Sequence, residues 1–509
     1  MDVNLGATRL PARSKIFFGI GQGAEGLKND AFTIFLTPYY VLVLGLPPLM
    51  AASATAIALV FDAISDPIAG VMSDHFKSRW GRRHPFMYAS AFPMGLCHFL
   101  LFAPPVLITG ADSEWMLFGW LLTFTVLTRG ATTLYHVPHL ALTAELSDNY
   151  DTRTTLTGLR GMFGWLGGLT SAFFGWVYFL APTEEYPIGQ LNPDAYPMFA
   201  AFAGCGMVLL ILISSWGTHD RIPYLKPPPK PASWRMMWGT YVDMWRAVRL
   251  LPSFALLIGV VLFSVAQFRI AQAMTWPMNT YFWEFTTTQI GLFVLVYVFS
   301  AILALVLARG FSGLFEKRTV FLTMGIIWCL ATPLAIVLRL MGLLPENGTI
   351  ELFFIICLSI LVVATMGIGQ NYLVDSMMAD VTDEYELHTG ERREGLFYSA
   401  RAFLGKTGAA LGMLVTGLLL ELLGIPKQAE PGSLSEDTLF WMGIFDGPLV
   451  AVIALCGVLL VIWYPISRAR HAEIKRLIAE RYGDGNPPEG GGDDSGGDGG
   501  EKTSLPATR

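Results

Sequence analysis

The chain has 509 residues, 53% of them hydrophobic and only 15% charged, against roughly 25% charged in soluble domains. The net charge of −6 is partly owed to an acidic C-terminal stretch, and no basic patch interleaved with aromatics points to nucleic acid. The five cysteines (Cys97, Cys205, Cys329, Cys357, Cys456) all lie in apolar runs without paired spacing, indicating neither a disulfide framework nor a metal site.

Long apolar runs alternate with short polar connections, and the runs reach the roughly 20 residues that cross a hydrocarbon core. The first is a full span rather than a cleavable signal. Twelve helices, α1–α12, are expected at about 16–44, 51–73, 85–105, 115–144, 154–181, 197–216, 251–283, 288–309, 318–341, 351–379, 394–424 and 438–465. The expected organisation is a first six-helix bundle (1–216), a central loop (217–250) rich in proline and basic residues, a second bundle (251–465) and a mostly disordered tail (466–509).

In chain order, α1 carries Gln22, Glu25, Asn29 and Thr33 at helical spacing, with Lys28 and Asp30 beside them. Such a stripe faces protein or water, although Glu25 and Lys28 can simply neutralise each other. In α2, Asp62 and Asp66 are four residues apart and share one face. An ionised carboxylate at membrane depth costs several kcal/mol unless paired, so this pair is the leading candidate for binding a cation or proton. A basic turn follows, with Asp74, Arg79, Arg82 and Arg83. His136 and His139 lie in α4; their titration range suits proton coupling, but no further metal ligands match them, and His139 is expected to be a packed helical histidine. α7 offers Gln267, Arg269 and Gln272. The connection after α10 carries Asp380, Asp383 and Glu384, and α11 carries Arg401 and Lys406.

Basic residues concentrate at the termini and after even-numbered helices, so both termini are expected in the cytoplasm. Two six-helix halves joined by a basic loop are the plan of the major facilitator fold: an all-α membrane protein of twelve transmembrane helices in two bundles, with substrate and ion near the midplane. The arginines of the 2–3 turn and the acids of the 10–11 connection fall on the same side. They are expected to pair as an inner gate in the outward-facing state, whatever their part in setting topology.

The blocks Asp62-Ala63-Ile64-Ser65-Asp66-Pro67 and Ser78-Arg79-Trp80-Gly81-Arg82-Arg83-His84-Pro85 resemble the glycoside–pentoside–hexuronide:cation symporters, the melibiose permease family. A second region agrees: Ala379-Asp380-Val381-Thr382-Asp383-Glu384-Tyr385-Glu386, Tyr398-Ser399 and Gly405-Lys406-Thr407-Gly408. The resemblance implies a cation site of Asp62, Asp66 and Thr133, a substrate-holding Arg160, and a Lys406 that neutralises the aspartates when the cation is absent. It matches two sugar-binding acids of the family to Gly26 and His136, and a polar α11 position to Arg401. Acidic groups lost and basic groups kept point to an anionic substrate such as a hexuronide.

The expectation is therefore a cation-coupled symporter, using Na⁺ or H⁺, of a sugar, glycoside or sugar acid in a plasma (bacterial inner) membrane. It is expected to act as a monomer in the lipid bilayer, without cofactor and with no metal beyond the coupling ion. Candidate substrate residues are Glu25, Lys28, Asn29, His136, Arg160, Gln267, Arg401 and Lys406. Two alternatives stand, a lysophospholipid symporter and a non-transporting sensor. An enzyme is not expected, because no nucleophile–base set or metal quartet is present.

Overall fold

The computed structural model describes residues 10–109, 113–147, 150–225, 234–391, 393–426 and 429–482. Arg9, Lys226, Lys230, Arg392, Lys427 and the chain beyond 482 lie outside the described residues, as do the side chains of Arg235, Glu394, Tyr398 and Ser399.

Among the described residues all regular structure is helical. The spans are α1 (12–43), α2 (Pro48–His75), α3 (His84–Leu101), α4 (Glu114–Glu145), α5 (150–179) and α6 (Ala195–Gly217), then α7 (252–282), α8 (Thr287–Leu314), α9 (Lys317–Leu340), α10 (Ile350–Thr389), α11 (Glu394–Leu423) and α12 (436–463). Local chemistry sets the ends. Pro48, Pro85 and Pro252 occupy first turns, where no amide hydrogen is needed. A capping box of Thr286 and Gln289 opens α8, and Gly390 and Gly424 close α10 and α11 with left-handed backbones (φ 76° and 58°). Eight spans, α2 and α6–α12, are individually long and apolar enough to cross a membrane. The other four all belong to the first half, where the polar residues of α1, α4 and α5 and the histidines and prolines of α3 dilute the apolar run.

Three segments differ from the sequence expectation. α10 continues to Thr389, because no glycine or proline interrupts 379–389; the acids Asp380, Asp383 and Glu384 therefore sit on helix rather than in a connection. The central segment contains a helix, Trp234–Leu250. The tail begins with another, Arg468–Tyr482, whose Ile474 is fully buried against the second half. Arg468 anchors it by donating from Nη2 to the carbonyls of Ser312 (2.8 Å), Gly313 (3.2 Å) and Phe315 (3.1 Å) at the end of α8. These carbonyls have few partners inside the helix itself.

The two halves pack alike. α1 lies on α5 and α6, α4 on α2 and α3, and α3 on α6; shifted by six helices, α7 lies on α11 and α12, α10 on α8 and α9, and α9 on α12. Contacts between the halves obey the same shift, since α2 meets α11 and α5 meets α8. Close seams are made by glycine. A Cβ on Gly26 of α1 would lie 2.8 Å from the Gly168 nitrogen of α5, and one on Gly167 would lie 2.9 Å from the Gly23 Cα. In lipid, where apolar side chains gain nothing from leaving solvent for one another, such backbone approach is a main source of helix association.

The halves are closed together at the end opposite the basic turns. There Thr280 Oγ1 donates to Gln190 Oε1 (2.8 Å), the Leu49 amide donates to Glu421 Oε2 (3.3 Å), and Gly417 of α11 leaves no room for a Cβ against Ala52 and Pro48 of α2. Gly26→Val is expected to lower stability by roughly 1–3 kcal/mol through overpacking, read as thermal unfolding of the detergent-solubilised protein, whereas Gly119→Val, in open space, leaves it nearly unchanged.

Candidate functional site

α2 runs against α4, and the four-residue spacing aims both aspartates at Thr133, which is buried. The Thr133 hydroxyl lies 3.1 Å from Asp62 Oδ1 and 2.9 Å from Asp66 Oδ1, within hydrogen-bond distance of both. Ser65 Oγ is 3.5 Å from the same hydroxyl. The three residues expected to hold a cation are thus gathered at one point, and two carboxylates with a hydroxyl make an oxygen-rich set suited to a hard cation or a proton.

Two basic groups occupy that set. Lys406 crosses from α11 in the second half to ion-pair with Asp66 and to lie 3.4 Å from Asp62 Oδ2. Arg129, from α4, donates from Nη1 to Asp62 Oδ2 at 3.0 Å; only 12% of its side chain is exposed. Two negative and two positive charges cancel. At membrane depth this matters, because removing one member of a buried pair strands the other without water. Lys406 is a bridge between the halves at this level. Arg129 was not among the expected site residues, although it precedes Thr133 by four and shares its face.

On α1, Glu25 accepts from Gln22 and pairs with His136, whose Nδ1 is 2.7 Å from Glu25 Oε2. His136 therefore belongs to an α1–α4 contact, while His139 donates to the Phe18 carbonyl (2.8 Å) and stacks on Phe18 and Tyr135. Lys28 is buried with Nζ 5.8 Å from the Phe32 ring centroid, and Arg129 faces the same ring at 5.6 Å. Asn29 is exposed. Gly26, read as the place of a lost sugar-binding acid, is pressed onto the α5 backbone with no space for a side chain. The acids that α1 carries are Glu25, paired with His136, and Asp30, beside Gly168 of α5.

Arg160 of α5 lies 3.4 Å from Thr143 Oγ1 and has no carboxylate partner among the described residues. On α7, Gln267 Oε1 is buried without a hydrogen bond, and Arg269 donates to Gln272 Oε1 at 3.1 Å. Arg401 is set apart from Lys406: it pairs with Asp375 of α10 and lines a cavity of about 260 Å³ with Ser264, Asn371 and Gly405. Asp375 escaped the sequence reading because its partner is distant in sequence and no motif flanks it.

At the basic end, each charged set is satisfied within its own half. Arg83 pairs with Asp74 and with Glu145 (3.0 Å), Arg82 pairs with Glu145 (2.8 Å), and Arg79 faces the Trp80 ring. In the second half Asp380 takes Lys317 (2.7 Å), Asp383 takes His471 (3.0 Å), and Glu384 accepts from Ser253. Among the described residues, the expected pairs of Arg79, Arg82 and Arg83 with Asp380, Asp383 and Glu384 across the halves are not formed in this conformation. Glu145 was the unforeseen partner of the turn.

Twelve helices in two like halves around a midplane ionic cluster define a major facilitator transporter. The profile of the MFS/sugar transport protein family matches residues 17–468, and the chain belongs to that family. Among relatives, a symporter of Synechocystis is 25% identical over 94% of this chain and 99% of its own. A glucuronide carrier protein homologue of Escherichia coli is 22% identical (93% and 96%), and a sodium-dependent lysophosphatidylcholine symporter of Danio rerio 24% identical (90% and 86%). A bacterial homologue of the lysosomal transporter Spinster, solved inward-facing and unoccupied, superposes with a TM-score of 0.60 at 14% identity, covering 93% of this chain and 99% of its own.

Lys406→Met is expected to destabilise the protein by roughly 1–3 kcal/mol, reduced from the fully buried case because both side chains are partly exposed. The double change with Asp66→Asn recovers much of that loss. Thermal unfolding of the single and double variants measures the difference.

Proposed function

We propose that this protein is a cation-coupled symporter of a sugar, glycoside or sugar acid that works by alternating access, with Na⁺ or H⁺ as coupling ion. The observation that carries the reading is the ionic cluster of Asp62, Asp66, Thr133, Arg129 and Lys406. Its acids belong to one half and its lysine to the other. A cation entering among the carboxylates displaces Lys406, so ion occupancy alters the attraction between the halves near the midplane, where transporters of this plan bind their cargo. No covalent step is needed, and no cofactor is assigned.

With the basic turns on the cytoplasmic side, both termini are cytoplasmic and the end closed here is the external one; the protein is then inward-facing. When the inner side closes, Arg79, Arg82 and Arg83 approach Asp380, Asp383 and Glu384, exchanging partners within each half for partners across it. The protein sits in a plasma membrane, bacterial inner membrane by analogy with its relatives, and acts as a monomer.

Among the described residues Arg160, Arg269 and Lys28 form no ion pair with a carboxylate, which supports an anionic cargo. A sugar acid fits this charge, as does the name of the glucuronide carrier relative. A lysophospholipid is the second reading, favoured by the Danio rerio relative.

The test is uptake into proteoliposomes of glucuronate, a neutral glycoside and lysophosphatidylcholine, under imposed Na⁺ or H⁺ gradients. Gradient-driven accumulation of glucuronate, lost in Asp66→Asn while solute exchange persists, is the expected result. Unchanged ion-driven accumulation in Asp66→Asn removes that carboxylate from coupling, and failure to move any solute favours a sensor that kept the fold. Neutralising the inner turn with Arg83→Gln is expected to slow turnover and to raise labelling of a cysteine placed at its cytoplasmic edge; unchanged turnover and labelling would sink the gate.

A further inference from the structure

Arg129 and Arg269 approach the midplane from opposite halves. Arg129 of α4 spends Nη1 on Asp62, while its Nε is buried with no acceptor. Arg269 of α7 has Gln272 as its hydrogen-bond partner, no carboxylate partner among the described residues, and an Nε that is likewise buried without an acceptor. The two lie near one another. Residues 31–36 of α1 touch α7, the Phe32 ring in that segment faces the Arg129 guanidinium, and Arg269 packs its Cβ against Gly412 of α11, the helix whose Lys406 reaches Asp62 and Asp66. Lys28 stands on the same ring.

The charges here do not balance. Glu25, Asp62 and Asp66 supply three negative charges, against four positive charges from Lys28, Arg129, Arg269 and Lys406. Guanidinium N–H groups removed from water and left unpaired are costly, and like charges facing each other across two halves add to that cost. A planar oxyanion that accepts from both forks relieves both penalties.

We propose that the acid group of the substrate, a carboxylate or phosphate, binds between Arg129 and Arg269, and that in doing so it draws Arg129 away from Asp62. This rests on the symporter reading and deepens it, naming where the anion binds and how its binding reaches the ion site. Without substrate, Arg129 occupies Asp62 and the coupling cation meets a half-filled site, so ions do not leak through. With substrate, Arg129 no longer holds Asp62, so the cation has only Lys406 to displace from Asp62, Asp66 and Thr133, and it binds more tightly. Linkage is reciprocal, so the cation tightens substrate binding by the same factor. Arg269 supplies the second fork and ties the cargo to the opposite half.

Three solutes with one ring and different charge separate the possibilities: glucuronate, glucose 6-phosphate and glucose. Binding to the purified full chain, with and without Na⁺ and at two pH values, gives the factor by which each solute and the ion assist one another. In wild type, one or both acids are expected to show mutual assistance, and glucose little. The preferred acid identifies the group as carboxylate or phosphate. Arg269→Gln is expected to weaken binding of the preferred acid about tenfold or more while glucose binding changes little. Arg129→Gln is expected to bring the assistance factor close to one and to admit substrate-independent ion flux in proteoliposomes. Arg129→Lys and Arg269→Lys, which keep charge but lose the fork, check folding and are expected to recover only part of each effect.

If Arg129→Gln folds and keeps the wild-type assistance factor, the role of Arg129 is overturned. Glucose assisting the ion as strongly as either acid overturns the anion site. A wild-type protein that accumulates no solute under any gradient overturns the symporter reading itself, which is a different result from accumulation with an unaltered factor.

Discussion

The ion pair between Lys406 and the two α2 aspartates is the constraint around which the rest is arranged. Carboxylates at membrane depth are tolerable only with company, and here the company comes from another helix of the same half, through Thr133 and Arg129, and from the other half, through Lys406. The α2–α11 contact is therefore more than packing. Its apolar part, where Ala56 and Leu59 meet Ala409 and Ala410, holds two bodies together, and its ionic part, on the proposed reading, makes the strength of that hold depend on what else is bound.

Much of the fold was legible because lipid imposes a strict grammar. Every spanning segment must satisfy its own backbone, so apolar length and the placement of arginine and lysine define twelve helices to within a few residues at most ends. The exceptions are instructive. The end of α10 was missed because hydropathy falls at Asp380 while helix propensity does not, and the helix runs on in polar sequence until Gly390 turns it. The helices Trp234–Leu250 and Arg468–Tyr482 were missed because neither is apolar enough to look like a span.

The site was legible where its members are close in sequence or carry a family motif: Asp62, Asp66, Thr133 and Lys406. It was not where a contact joins distant helices without a motif, as with Arg401 and Asp375 or Glu145 and the basic turn. Arg129 is an intermediate case, since its spacing from Thr133 was readable but its partner was not. Gly26 is a different case: matching by position showed that an acid is missing there, but not that the glycine lets α1 touch α5.

Arg468 and His471 clasp two different helices, the carbonyl end of α8 and the acids of α10. Lys317, at the start of α9, holds Asp380 in the same neighbourhood. This clasp splints the ends of three helices into one stiff plate. In the alternating-access reading proposed above, such stiffness is needed away from the pivot, because a half that flexed within itself would dissipate the displacement of Lys406 as local bending. On that reading the helix Arg468–Tyr482 is a brace that lets a small movement at the centre arrive undiminished at the rim.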